Sequence, residues 1–493
     1  MRHNLTLCHP NCTKYICMRM AVNDSHINPQ DEQPSDHAHH RLLKTLDHSQ
    51  KEAVASSAMT ATCDNYINAF ALHLQATNVQ MGILTAFPQL LGSLMQLVSV
   101  WLGSFLTRRR IVVFTAILQT GLMLCLALVA VLRKADVVQT LIMLIVLYHA
   151  ASNLIQPQWR AWMGSIVPQK QRGVFFAQRT RLTMATSLAV FLVGGSFLTF
   201  ADNIGFAGAG FFLLFLAAAA GRAMSCLYLW RMHDPEPQPV LPEANVFFST
   251  LRIIGQALHD ETFRNYSFFV AGMQGMVAIS GPFFAVYMLN ELELSYFEYS
   301  LTQMVYIATQ FFMLRWWGRV SDKHGNRLVM LLCSAAIPIV PILWLFSANF
   351  YYVLAIQAVS GLAWSGFNLT TANYLYDIRP HHTNFATYAA VQAGISAAAV
   401  FCGGIAGGYL ASIAPWLASW LPFETGSALF IVFLTSGLLR AAVLLWFIPR
   451  AEEPHVRTRP QLMRIIYRIA RYNAISGVVL DWLTVTEKDE PES

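Results

Sequence analysis

The chain has 493 residues, of which 55% are hydrophobic and only 12% are charged, and its mean hydropathy is +0.44. Soluble domains carry about 25% charged residues, so this composition excludes an ordinary soluble protein and favours one embedded in a lipid bilayer. The formal net charge of +6 fits the Lys and Arg excess of cytoplasmic loops in membrane proteins, and no nucleic-acid partner is predicted.

Twelve apolar runs long enough to cross a bilayer follow one another along the chain. A hydrocarbon core about 30 Å thick needs roughly 20 residues of helix, and the runs between charged or turn-forming residues meet this length. The sequence therefore predicts an all-α integral membrane protein. We number the runs as spans 1 to 12: 53–75, 79–105, 111–132, 137–166, 174–200, 205–230, 264–289, 296–317, 328–347, 350–378, 384–412 and 426–448.

Lys and Arg concentrate in the loops on one side of this arrangement, for example at residues 108–110, Lys323 and Arg327. The loops on the other side are mostly acidic or neutral, as at Asp202 and Glu291. Because cytoplasmic loops carry the positive excess, both termini are predicted to be cytoplasmic in a multi-pass protein of the cell membrane.

The two halves of the chain repeat each other at an offset of 212 to 215 residues, which places Pro168 on Pro380 and Gly194 on Gly407. Six spans return a chain to its starting side, so the two halves have the same orientation. The predicted units are a polar, disordered N-terminal tail 1–52, a six-helix bundle 53–230, a cytoplasmic linker 231–262, a second six-helix bundle 263–448, and a C-terminal tail 449–493 with a basic amphipathic helix on the membrane surface. Translation from Met1 and from Met20 both stay open.

The loop between spans 8 and 9 reads GRVSDKHGNR, residues 318–327. Its ordered Gly318, Asp322, Lys323, Gly325 and Arg327 resemble the signature loop of the major facilitator superfamily. The first half keeps a shorter copy, GSFLTRRR, in which a threonine replaces the aspartate. With the twelve spans and the six-helix repeat, the chain resembles this superfamily over residues 53–448, which implies two pseudo-symmetric six-helix bundles.

The resemblance implies that residues 318–327 form a cytoplasmic latch, which closes that side of the protein in the outward-facing state. In this superfamily a carboxylate at the end of span 10 pairs with the basic residue of the loop, so Asp377 is the expected partner of Arg327. Gly318 is expected to let helices approach closely and Gly325 to allow a tight turn, while Asp322 is expected at the positive N-terminus of a helix. Ser165 stands at the equivalent of Asp377 in the first half.

Asp64 is the only acid deep inside a predicted span, where a charge costs at least about 2.5–3.5 kcal/mol. Thr60 and Asn68 lie one turn away on the same face. One interpretation is that Asp64 binds a coupling proton or cation, or a cationic group of a substrate. The other is a structural ion pair with Arg160, Arg179 or Arg181, and the sequence leaves both open.

Further polar side chains follow helical spacing in spans 4, 7 and 10. The resemblance implies that spans 1, 4, 7 and 10 line a central substrate cavity. For His149 alone, a hydrogen bond between helices is the simpler alternative. The candidate cavity residues are Thr60, Asn68, His149, Asn153, Gln156, Arg160, Gln274, Gln357, Trp364 and Asn368.

We therefore expect a monomeric secondary active transporter that carries a small organic solute by alternating access, without a cofactor or a metal. A transporter-like sensor or scaffold that binds without transport is the alternative. A membrane-embedded enzyme using His149, His381 and His382 has less support, because no metal-spaced cluster accompanies them. The solute, the direction of transport and the coupling ion stay open.

Overall fold

The computed structural model describes residues 36–103, 105–131, 137–167, 172–234, 258–378, 385–420 and 426–450. Over these ranges the chain is built of helices and short turns, without a strand. The start of the N-terminal tail, most of the predicted linker, His381, His382 and the predicted amphipathic helix lie outside the described residues.

Each of the twelve predicted spans contains helix, which confirms the all-α fold. The helices of the first six spans are Asp36–Cys63 with Ile67–His73, Asn78–Leu102, Arg108–Val131, Val137–Ile166, Arg172–Asn203 and Ala207–Arg231. Those of the last six are Glu261–Val286, which continues as the π-helix Tyr287–Glu291, then Tyr296–His324, Asn326–Ala336 with Ile339–Leu343, Phe350–Ile378, Phe385–Ala418 and Leu429–Phe447, followed by the 3-10 turn Ile448–Arg450.

Nine of the described helical segments are long and apolar enough to cross a bilayer by composition alone. Spans 1 and 8 are more polar than this. Polar helices are stable at membrane depth when they face other helices or a wet cavity. Spans 1 and 8 both supply polar residues to a cavity in the protein interior.

The polar tail was expected to reach residue 52, and this boundary is wrong because the first helix begins at Asp36. The turns of this helix that precede residue 53 are not exposed to solvent on every face. Thr45, Ser49 and Glu52 are buried, and their helix packs against spans 5 and 6. Span 1 therefore extends beyond its predicted start, and the neighbouring helices hold this extension in place.

Equivalent helix pairs pack in the two halves. Span 1 contacts spans 5 and 6, as span 7 contacts spans 11 and 12. Spans 2 and 4 pack together, as do spans 8 and 10. The main contacts between the halves are those of span 2 with span 11 and of span 5 with span 8.

Hydrogen bonds join the two bundles at one end of the molecule. Asn78 Nδ2 donates to the Ala411 carbonyl over 3.2 Å, and the Phe297 amide donates to Thr199 Oγ1 over 2.9 Å. We call this the closed end. The opposite end, which carries the loops at residues 105–110 and 318–327, is the open end.

Candidate functional site

Span 1 is interrupted at residues 64–66, between the helices Asp36–Cys63 and Ile67–His73. The Tyr66 amide donates to the Cys63 carbonyl over 3.0 Å in a tight turn. The buried Tyr66 hydroxyl donates to the Phe191 carbonyl of span 5 and lies 2.9 Å from Ser300 Oγ of span 8. This turn fixes the position of Asp64 in the protein interior.

A cavity of about 570 Å³, the central cavity, lies on one side of Asp64. Its volume is within the range of about 300–1,000 Å³ that is usual for small-molecule sites. Spans 1, 8 and 10 supply most of its polar lining, and aromatic and small aliphatic residues form the rest. Its polar and aromatic lining residues include Asp64, Asn65, Asn68, Tyr299, Gln303, Tyr306, Trp344, Gln357, Ser360, Trp364, Asn368 and Arg440.

A second cavity of about 390 Å³, the vestibule, extends from Asp64 along the open-end half of span 1. Glu52, Ser56, Thr60 and Asp64 line it at intervals of four residues, so they share one helix face. The facing walls contribute Gln119, Tyr148, His149, Gln156, Trp159, Arg179 and Arg222. Asp64 is the one carboxylate that lines both cavities among the described residues.

Asp64 has no ionic partner among the described residues. Its Oδ1 atom is buried and makes no hydrogen bond there. Arg179 pairs with Glu52 instead, and Arg160 and Arg181 are exposed. The ion pairs that the sequence left open for Asp64 are therefore not formed, and Tyr148 and His149 of span 4 line the vestibule together with Asp64.

Glu52 is a buried acid that the sequence analysis missed. Its Oε2 lies 2.6 Å from Arg179 Nη2, and its Oε1 accepts a hydrogen bond of 3.1 Å from Ser225 Oγ. Arg222 Nη1 in turn donates to Ser225 Oγ over 3.1 Å. This network joins spans 1, 5 and 6 beside the vestibule. The four-residue spacing from Glu52 to Asp64 is the sequence signal that could have revealed it.

Two buried arginines were also missed, Arg222 in span 6 and Arg440 in span 12. Arg222 lines the vestibule and Arg440 the central cavity. Each stands in the last span of its bundle. A lone arginine inside an apolar run is itself a signal, because such side chains face the protein interior.

The candidate cavity residues separate into three groups. Asn68, Gln357, Trp364 and Asn368 line the central cavity, and Thr60, His149 and Gln156 line the vestibule. Asn153, Arg160 and Gln274 are not among the lining residues of either cavity.

Those last three side chains have other surroundings. Asn153 Oδ1 accepts a hydrogen bond of 2.9 Å from Gln96 Nε2, so this residue joins span 4 to span 2. Arg160 is exposed, and Gln274 is half-buried in span 7.

The residues of the expected latch form a turn at the open end. Gly325 has a φ of 88°, which non-glycine residues rarely adopt, and it separates the helices Tyr296–His324 and Asn326–Ala336. Ser321 Oγ donates to Asn326 Oδ1 across the turn. Asp322 and Lys323 are exposed.

Gly318 does not have the role expected of it. A Cβ there would meet only Leu369 Cδ2, at 4.0 Å, so no close helix approach depends on this glycine in the present state. The pairing of Arg327 with Asp377 stays a prediction, because the side chain of Asp377 lies outside the described part of the structure. In the first half, Arg108 Nη1 does lie 3.5 Å from Ser165 Oγ, at the equivalent position.

Comparisons with known proteins identify relatives by family and by fold. A family model described as Major Facilitator Superfamily matches residues 266–485. No curated protein matches the chain in sequence. Among solved structures, a mutant of the nucleoside transporter NupG has a TM-score of 0.64 and 11% identity, with 84% of this chain and 100% of that chain covered.

Two further solved structures match over a similar length. A bacterial homologue of the iron transporter ferroportin, in an inward-facing state, has a TM-score of 0.63 and 13% identity, covering 83% of this chain and 99% of its own. A D-xylose–proton symporter has a TM-score of 0.61 and 12% identity, covering 84% and 97%. At identities this low, the likeness shows that the fold is shared.

Proposed function

We propose that this chain is a member of the major facilitator superfamily that carries a small organic solute through the central cavity by alternating access, with proton coupling at Asp64. Secondary transporters bind substrate near the bilayer midplane, between two repeats that rock around the site. The protein is a multi-pass membrane transporter and not an enzyme. That it works as a monomer in the cell membrane, with cytoplasmic termini, is part of the proposal.

The position of Asp64 is the observation that carries this proposal. Its carboxylate lines both cavities, at the break in span 1, so its access to either side changes when the bundles move. An intramembrane acid without an ion-pair partner is a residue that can take up and release a proton. The likeness to a proton-coupled sugar symporter supports the same chemistry.

The conformation supports the assignment of this structure to one state of the transport cycle. The two bundles are hydrogen-bonded at the closed end, while the vestibule extends toward the end with the arginine-rich loops. With that end in the cytoplasm, as the positive-inside rule requires, the state described here is inward-facing.

Transport by purified protein in liposomes tests the proposal. Asp64→Asn should abolish uphill accumulation driven by a proton gradient, yet it should leave exchange between equal pools of solute, because the cavity keeps its shape. Asp47→Asn is the matched control, since Asp47 lies on the same helix but forms only an exposed pair with Lys51. Accumulation at the wild-type rate by folded Asp64→Asn protein would exclude coupling at this residue, and ligand binding without any counterflow would indicate a sensor.

A further inference from the structure

We infer that the transported solute is an organic anion whose negatively charged group pairs with Arg440 in the central cavity. This inference rests on the proposed function, because it concerns the same cavity. Arg440 is only 2% exposed, and its guanidinium lies in the wall of the central cavity. A buried arginine normally faces a carboxylate, because burial of an unpaired charge is costly.

The partners of Arg440 are uncharged. Its Nη1 donates to the Ile337 carbonyl over 3.3 Å, and its Nη2 donates to Ser280 Oγ over 2.6 Å. Its Nε is buried and has no hydrogen-bond partner among the described residues. The two oxygens therefore orient the guanidinium without balancing its charge.

The sequence of span 9 explains why the Ile337 carbonyl is available. Proline has no amide hydrogen, so Pro341 cannot donate the helical hydrogen bond that the carbonyl four residues earlier would accept. Span 9 is interrupted at this point, between the helices Asn326–Ala336 and Ile339–Leu343. The freed carbonyl holds the Arg440 side chain in place at the cavity wall.

The charges of the two cavities leave Arg440 as the excess cation. Their described walls hold three guanidinium groups, those of Arg179, Arg222 and Arg440, and two carboxylates, those of Glu52 and Asp64. Glu52 pairs with Arg179 and reaches Arg222 through Ser225. Asp64 remains, but it belongs to the other bundle and loses its charge whenever it carries the coupling proton. With Asp64 ionised the described walls hold one positive charge in excess, and with Asp64 protonated they hold two. A monoanion lowers this excess by one, and a monoanion and a proton that cross together carry no net charge.

The remaining walls favour an organic anion over an inorganic one. Gln303, Gln357 and Asn368 supply uncharged hydrogen-bonding groups, and Trp344 and Trp364 supply flat apolar surface. A volume of about 570 Å³ exceeds what a small inorganic ion fills. The alternative is that Arg440 only fastens span 12 to spans 7 and 9, in which case its charge has no ligand.

The experiment compares carboxylates with amides of the same shape. Thermal unfolding of the purified full-length protein is recorded with sodium benzoate, nicotinate or lactate, each paired with its own primary amide. For wild-type protein we expect carboxylates to raise Tm more than their amides. Arg440→Gln should weaken carboxylate binding by about tenfold or more, Arg440→Lys should retain part of the preference, and Arg222→Gln should retain it.

The thermal stability of the ligand-free protein distinguishes an Arg440 that binds the anion from one that only holds span 12 against spans 7 and 9. Arg440→Gln protein should unfold at a Tm equal to or above that of wild type, because the substitution removes a buried charge that nothing balances. A wild-type protein with no preference for carboxylates over amides, or an Arg440→Gln protein that keeps the preference, would overturn the inference. Binding of carboxylates without counterflow in liposomes would overturn the proposed transport function but not the anion site. Counterflow of neutral solutes and not of anions would overturn the anion inference but not the transport function.

Discussion

Tyr66 and Ser300 join the two bundles at the closed end, where their hydroxyl oxygens lie 2.9 Å apart. The Tyr66 ring is completely buried and packs on Phe191 with ring centroids 4.9 Å apart. Phenylalanine at position 66 keeps this packing and loses only the hydroxyl. Since one hydrogen bond contributes about 1 kcal/mol, Tyr66→Phe should shift the equilibrium toward opening of the closed end by about fivefold.

The rate of disulfide formation between Asn78→Cys and Ala411→Cys measures this shift, because these positions meet across the closed end. Tyr66→Phe should slow the crosslink. Tyr266→Phe is the control, since the Tyr266 hydroxyl donates to the Thr371 carbonyl within the second bundle, and it should leave the crosslinking rate unchanged. An equal effect of both substitutions would show that the Tyr66 hydroxyl does not hold the bundles together.

Two glycines distinguish packing between the bundles from packing within one. A Cβ on Gly82 of span 2 would overlap the Gly404 carbonyl of span 11, across the interface. A Cβ on Gly403 would overlap the Gly275 carbonyl of span 7, in the same bundle. Gly403→Ala should therefore destabilise the fold by about 1–3 kcal/mol, whereas Gly82→Ala should favour the state in which the closed end opens.

Unfolding in detergent and the crosslink described above report the two effects separately. Gly403→Ala should lower the free energy of unfolding with little change in crosslinking. Gly82→Ala should slow the crosslink while it retains most of its stability. The reverse pattern would contradict the assignment of these contacts to the two kinds of interface.

The Glu52–Arg179 ion pair should contribute strongly to stability, because both side chains are buried in the fold. Glu52→Gln leaves Arg179 and Arg222 without their carboxylate, and the expected loss is about 3–5 kcal/mol. The double variant Glu52→Gln, Arg179→Gln should recover part of this loss. Asp47→Asn breaks an exposed pair on the same helix and should change little. Equal losses in the free energy of unfolding for Glu52→Gln and Asp47→Asn, measured by chemical unfolding, would contradict this.

Apolar runs between charged and turn-forming residues were sufficient to predict where all twelve spans lie, although spans 1 and 8 are more polar than the others. The break in span 9 also has a local signal, in Pro338 and Pro341. The break in span 1 has a weaker local signal in Asp64 and Asn65, since Asp and Asn favour turns. It depends on Tyr66, whose hydroxyl partners lie in spans 5 and 8, so it is a tertiary feature.

The candidate site was only partly predictable for the same reason. Asp64 stood out because it is an acid in an apolar span. Glu52 did not, since its partner Arg179 lies 127 residues away in the sequence and the helix was expected to begin after it. Arg440 was passed over as part of an apolar run, and only the folded arrangement reveals that no carboxylate balances it.

The latch at residues 318–327 should act in the state opposite to the one described here. Asp322 is exposed at the open end in the state described here, so its contacts are expected to form when that end closes. Asp322→Asn should therefore destabilise the outward-facing state, slow transport by about fivefold or more, and speed the crosslink between positions 78 and 411.

Asp377→Asn should have the same effects, and the double variant should fall short of additivity if both belong to one network. Asp202→Asn is the control, because Asp202 is an exposed acid at the closed end. Full transport by either latch variant would remove residues 318–327 from the mechanism.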